Sequence, residues 1–330
     1  MTNTGEVEIT GDSNSSVTGS LTNTEEFTLE GEVAQLSVGG HLVNSGVMDI
    51  ETQFSQFGGL STQVTVGGDL DNSGELSLDA TNAGDSVLVT VQGVLAQQVG
   101  NVLTMGELSV DASGSSSKSA ILEWTGADIR TIASGAAVSV EGVNAVIRDR
   151  LTLDNALANL EDVEGIWKWS GQNFVTAGDL NVSGELDVTA SNLTVAGNFT
   201  NSGTTMFTGD STLRTLQIDG TFANTGELHA FYAQVVSDSP LPQQVGTTLT
   251  DGFFLIQTDS IGAVVGEIAW AGAEITTIGP EAGVALIGAG STIRNSLDNS
   301  DALVGLSESQ GFFSLRLQDH AFVGDFSSSG

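Results

Sequence analysis

Three histidines are the first residues to test for chemistry. His41, His229 and His320 stand far apart and fall at no metal-ligand spacing. His41 and His229 sit at outward positions of alternating stretches, so surface histidines are expected rather than ligands or proton carriers. Carboxylates are abundant, with 41 Asp and Glu against 8 Lys and Arg and a formal net charge of −33. A glycoside hydrolase needs one pair of carboxylates, and in so acidic a chain pairs arise by accident. Asp128 and Glu274 occupy equivalent places in the repeat described below, as do Arg148 and Arg294. A structural ion pair, or a stem covering apolar surface, is the expected use of the two arginines rather than a catalytic base. No catalytic, cofactor-binding or metal residue is assigned, and the chain is expected not to be an enzyme.

Aromatic residues could bind glycans by stacking. Trp124, Trp167, Trp169 and Trp270 are the candidate glycan-stacking residues. Trp167 and Trp169 share one strand parity and so one face. Their counterparts Phe313 and Leu315 keep bulk without keeping an indole, which favours packing over stacking. The stretch Gly68-Asp69-Leu70-Asp71-Asn72 has the composition of a calcium loop. It matches neither the EF-hand nor the nonapeptide pattern, so calcium is expected only as diffuse binding to rows of acid.

Composition bounds the partners. A surplus of acid excludes phosphate recognition, hence nucleic acid, and also a polybasic membrane surface. The absence of cysteine excludes disulfides and thiolate metal sites. No apolar run is long enough to make a membrane-spanning helix, so no membrane insertion is expected. Met1 to Gly5 has neither a basic nor an apolar signal region, so export by a signal peptide at this start is not expected. A cysteine-free chain nonetheless suits export through a narrow pore.

The elements that would position these residues follow from a repeat. An apolar residue, x, Gly, x, Leu or Phe, x, Asn, Ser or Thr, Gly recurs along the chain. Copies centre on Gly19, Gly40, Gly68, Gly178, Gly197 and Gly220. Alternating apolar residues predict strands with one buried face. Asn-Ser-Gly is expected to break each strand, because Asn and Gly tolerate left-handed backbone angles. Turns of unequal size, and a spacing of about 20 residues between copies, favour coils of a solenoid over an array of hairpins.

A longer repeat contains the short one. Trp124-Thr125-Gly126-Ala127-Asp128 matches Trp270-Ala271-Gly272-Ala273-Glu274. The same offset joins Gln97-Gln98-Val99-Gly100 to Gln243-Gln244-Val245-Gly246. Upstream the offset grows, as between Asn72 and Asn224 and again between Asn44 and Asn201, so insertions fall in the early coils. The chain reads as two tandem units, 1–174 and 175–330, with Phe322 to Gly330 opening a third. Asp154 to Gly165 departs from alternation, with apolar residues at 157, 160 and 163. A short helix or a protruding loop is predicted there. Pro240, Pro242 and Pro280 are placed in loops.

The phrases at 40–46, 68–76, 197–203 and 220–228 resemble the repeats of filamentous-haemagglutinin-like and autotransporter-passenger proteins. That resemblance implies a right-handed β-helix on a bacterial surface or secreted, with a role in adhesion or as a stalk. The predicted fold is therefore an all-β, right-handed parallel β-helix of two tandem units. The expected function is a segment of an extracellular fibre, stalk or filament that self-associates end to end or through further repeats. A carbohydrate-binding adhesin module with surface glycans as partners is the alternative, and a polysaccharide-active enzyme the third reading.

Overall fold

The computed structural model describes residues 1–52, 59–210, 212–258, 265–316 and 325–329. His320 and residues 322–324, which begin the expected third unit, lie outside them. The chain is all-β and takes the coil order of a parallel β-helix. Two compact units are present: 1–160 with 165–172, and 161–164 with 173–330.

In unit 1 the chain visits three parallel sheets in turn. The longest consists of β1 (Val7–Thr10), β2 (Glu26–Gly31), β3 (Val47–Thr52), β4 (Glu75–Asp79), β5 (Gly106–Asp111), β6 (Ala136–Glu141) and β7 (Ile166–Ser170). A second sheet holds the short strands Thr2–Asn3, Leu21–Asn23, Leu42–Asn44 and Leu70–Asn72. The third runs from Asn14–Val17 to Ala145–Asp149. Unit 2 has a matching long sheet. Its strands are β8 (Glu185–Thr189), β9 (Thr204–Thr208), β10 (Glu227–Phe231), β11 (Thr248–Gln257), β12 (Thr277–Ile287) and β13 (Phe312–Arg316). Alternation explains both: Leu76 and Leu78 on β4, or Leu228 and Ala230 on β10, are buried while the residues between them face outward.

The Asn-Ser-Gly phrase ends each short strand, but for a reason other than the one expected. Neither Asn44 and Gly46 nor Asn72 and Gly74 has a positive φ. The asparagines instead point inward and form a ladder. Asn3 Nδ2 donates to Asn23 Oδ1 at 2.7 Å, Asn23 to Asn44 at 2.8 Å, and Asn44 to Asn72 at 2.7 Å. Each amide also donates to a backbone carbonyl of a following strand, as Asn44 does to Glu75 O at 2.7 Å. Buried amides must find such partners, and stacked copies supply them. The glycine is needed for close approach. A Cβ at Gly74 would run into the carbonyl of Gly46, and one at Gly226 into that of Gly203.

The helix-or-loop expectation at 154–165 resolves to a turn, and the placing of Pro280 is corrected. Among the described residues there is no helix. Residues 156–159 form a turn, and Leu157, Leu160 and Val163 are fully buried, so the apolar spacing marks a plug rather than a helical stripe. Pro280 lies within β12, not in a loop. It sits at a register shift opposite Leu249 to Asp251, where a bulge spares the missing N–H. Ser327–Ser328 pairs with Glu308–Ser309 just as Asn181–Val182 pairs with Asp162–Val163 at the equivalent place one long repeat earlier.

Candidate functional site

The four tryptophans are interior residues. Trp124, Trp167 and Trp270 are at most 1% exposed and Trp169 is 3% exposed. Rings so covered offer no face to a sugar, so the glycan-stacking expectation at all four positions is corrected. Trp167 and Trp169 pack edge to face at 5.8 Å. Trp124 and Trp270 anchor the most specific words of the long repeat. Trp124 Nε1 donates to Gln98 Oε1 at 2.9 Å, and Gln98 Nε2 donates to the carbonyls of Gly100, Gly126 and Asp128. Unit 2 repeats every bond: Trp270 to Gln244 at 2.7 Å, and Gln244 to Gly246, Gly272 and Glu274. Gln98 and Gln244 sit on antiparallel hairpins whose tips need Gly100 and Gly246 at φ 62°. Asn201 Nδ2 donates to Asn224 Oδ1 at 2.7 Å in unit 2, and the preceding glutamines bond the last asparagine of each column, since Gln97 Oε1 accepts from Asn72 N and Gln243 Oε1 from Asn224 N.

The remaining candidates also divide between stitching and surface. Arg148 pairs with Glu123 at 2.7 Å and Arg294 with Glu267 at 2.9 Å. The acid has moved by two positions between the units while the ion pair is kept. Asp128 accepts from Asn101 and Asn159. Asp149 accepts from the backbone N–H groups of Gly126, Ala127, Leu151 and Thr152. These bonds line a depression of about 420 Å³. Both carboxylates hold loops, and Asp128 also pairs with Arg130 at 3.6 Å. Among the described residues no group of three or more His, Asp or Glu is placed to hold a metal ion.

His41 is exposed, 3.4 Å from Asp69. His229 is not: its side chain is only 16% exposed, beside Phe231 and Phe253. Burial lowers its pKa, and the nearby Glu227 only partly opposes this.

The outward face of the long sheet is where the two units part company. In unit 1 the in-register column Glu30, Glu51, Asp79, Asp111, Glu141 crosses β2 to β6. Burial, then mutual repulsion, raises the pKa values of Glu51 and Asp79, and Lys118 only partly relieves Asp79. Asp49 is raised likewise by burial, Glu75 and Glu26. At the equivalent positions of unit 2, Phe231 stands for Asp79, Phe253 for Glu107, Gln257 for Asp111 and Ile287 for Glu141. The inward residues stay apolar: Leu108 and Val110 become Phe254 and Ile256.

The result is an apolar cluster on β10 to β13. His229 lies 5.6 Å from Phe231 and 6.2 Å from Phe253, and Phe253 lies 5.6 Å from Phe312. Gly283 lies under the last pair; a Cβ there would strike the Phe253 ring. Phe312 is 54% exposed. Sequence reading missed this cluster because it looked for tryptophan. The signal was available in the offset alignment, had outward positions been compared apart from inward ones. No protein family, curated protein or solved structure matches the chain.

Proposed function

We propose that the chain is a non-enzymatic structural repeat protein, a segment of an extracellular fibre, stalk or filament that assembles by coil-on-coil stacking. One observation carries the reading. The most specific repeated words, Gln-Gln-Val-Gly and Trp-x-Gly-Ala, spend their polar groups on joining one coil to the next. A duplicated site for chemistry would instead hold such groups open toward a substrate. The resemblance of the Asn-Ser-Gly phrases to surface β-helix repeats supports the same reading. Coils that stack in register present the same backbone edge to each neighbour, so further repeats or further copies can extend the stack.

Negative-stain imaging of the purified chain tests this. Long fibres with a repeat near the unit length are expected, and uniform short particles would sink the proposal. The acid column gives assembly a further expected property, diffuse calcium binding. Calcium or added salt should promote association by screening it. If association ignores both, the acid serves solubility alone.

A further inference from the structure

The chain carries −33 charges, and unit 1 presents acid along its long sheet. Two copies meeting on that face would repel. The equivalent face of unit 2 has lost the acids at four aligned positions while the inward positions kept their apolar character. The inward positions exchange one apolar residue for another while the outward ones lose their charge, so keeping an apolar core does not require the change. We propose that this face, strands β9 to β13, pairs with the same face of a second copy of the chain.

Three observations favour a second copy over other occupants. The rings meet at interplanar angles of 61°, 73° and 53°. That is a tilted, knobbed surface, whereas a linear glycan stacks on coplanar rings. Parallel strands about 4.8 Å apart set the ridge spacing, and an identical copy brings the identical spacing. The face also carries both signs of charge, Glu227 on β10 and Arg316 on β13, at opposite ends of their strands. In a two-fold contact each copy can offer its own acid to the other's base. Five strands, each with about five residues along the face, span about 400 Å² a side by strand spacing and rise, and on β12 Gly283 and Ala285 are already covered. A stable interface takes about 800 Å² a side, so the pair is weak and depends on concentration.

Pairing of one face with itself closes at two copies, whereas end stacking gives open chains, so failure of this inference is separable from failure of the fibre reading. Sedimentation velocity over a concentration series tests it, on the full chain, on Phe253→Glu and on Phe312→Glu. The first variant restores the charge of Glu107 in unit 1. The second changes an exposed side chain, so folding is preserved and circular dichroism checks it. A monomer–dimer equilibrium is expected for the natural chain, tightened by salt, with the dissociation constant raised about tenfold or more by either substitution. A natural chain that stays monomeric at every concentration overturns the pairing. So does association that both variants leave unchanged, which would return the contact to the coil ends. A monomeric chain retained on a β-glucan matrix through Phe312 overturns it in favour of a glycan.

Discussion

The indole of Trp124 donates to Gln98 at 2.9 Å, and Gln98 then donates to three carbonyls of two neighbouring turns. Trp124→Phe leaves the Gln98 oxygen without its donor and also removes part of a fully buried ring. A loss of about 1–3 kcal/mol is expected from urea unfolding. Gln98→Leu should cost at least as much, since it also strands the three carbonyls. Trp270→Phe should match Trp124→Phe, and because the two bonds share no partner the double variant should show additive losses.

The asparagine ladder makes a sharper demand. Asn44 accepts from Asn23 and donates to Asn72 and Glu75 O. Asn44→Leu removes all three bonds and should cost about 2–4 kcal/mol. Asn44→Asp retains the acceptor and loses both donations, while burying a charge. It should be at least as costly at pH 7 and recover part of its stability on acidification, as followed by thermal melts at a series of pH values.

Gly74 tests the close approach of coils. Gly74→Ala drives a methyl into the carbonyl of Gly46, so the coils must separate locally. A loss of at least about 2 kcal/mol is expected. Gly5→Ala, at a position open to solvent in this fold, is the control and should be nearly silent.

The acid column sets the direction of pH dependence. Glu51, Asp79 and Asp49 have raised pKa values, so the folded state binds protons more readily there than the unfolded chain. Their charging opposes folding, and this contribution to stability falls as pH rises through their raised values. Asp79→Asn should therefore stabilise the chain at pH 7 by about 0.5 kcal/mol, with the gain vanishing in acid. No gain at low salt would contradict the repulsion.

Asp85 works the other way. Burial pushes its pKa up, but hydrogen bonds from Leu60 N, Thr52 Oγ1 and the Asn82 amides pull it further down. Its stabilisation is complete above the ordinary aspartate range and is lost as pH falls through the lowered value. Asp85→Asn should weaken the natural chain at pH 7 by about 1–3 kcal/mol and flatten its acid-unfolding limb.

The coil order was legible because alternation and a recurrent phrase survive any change of loop length. Leu21, Leu42 and Leu70 begin equivalent strands although the chain between them is unequal in length. The role of Asn44 was not legible, because turn and ladder both favour asparagine and only the register of stacked strands separates them. Leu157 and Leu160 carry a helical spacing, yet a turn can bury residues three apart as readily as a helix. Phe253 and Phe312 carry no local signal that joins them to each other. They belong to β11 and β13, and Gly283 on the strand between them, the residue that lets them meet, has no side chain to announce itself.

The asparagine column has a sense. From Asn3 through Asn23 and Asn44 to Asn72 every amide donates toward the later coil, and none donates back along the column. The amide dipoles therefore add along the stack, as peptide dipoles do along a helix. Reversing one segment against another would bring donor to donor or acceptor to acceptor at the joint. The column is a vector with a fixed start at Asn3 and a fixed end at Asn72, which gives on to Glu107 O.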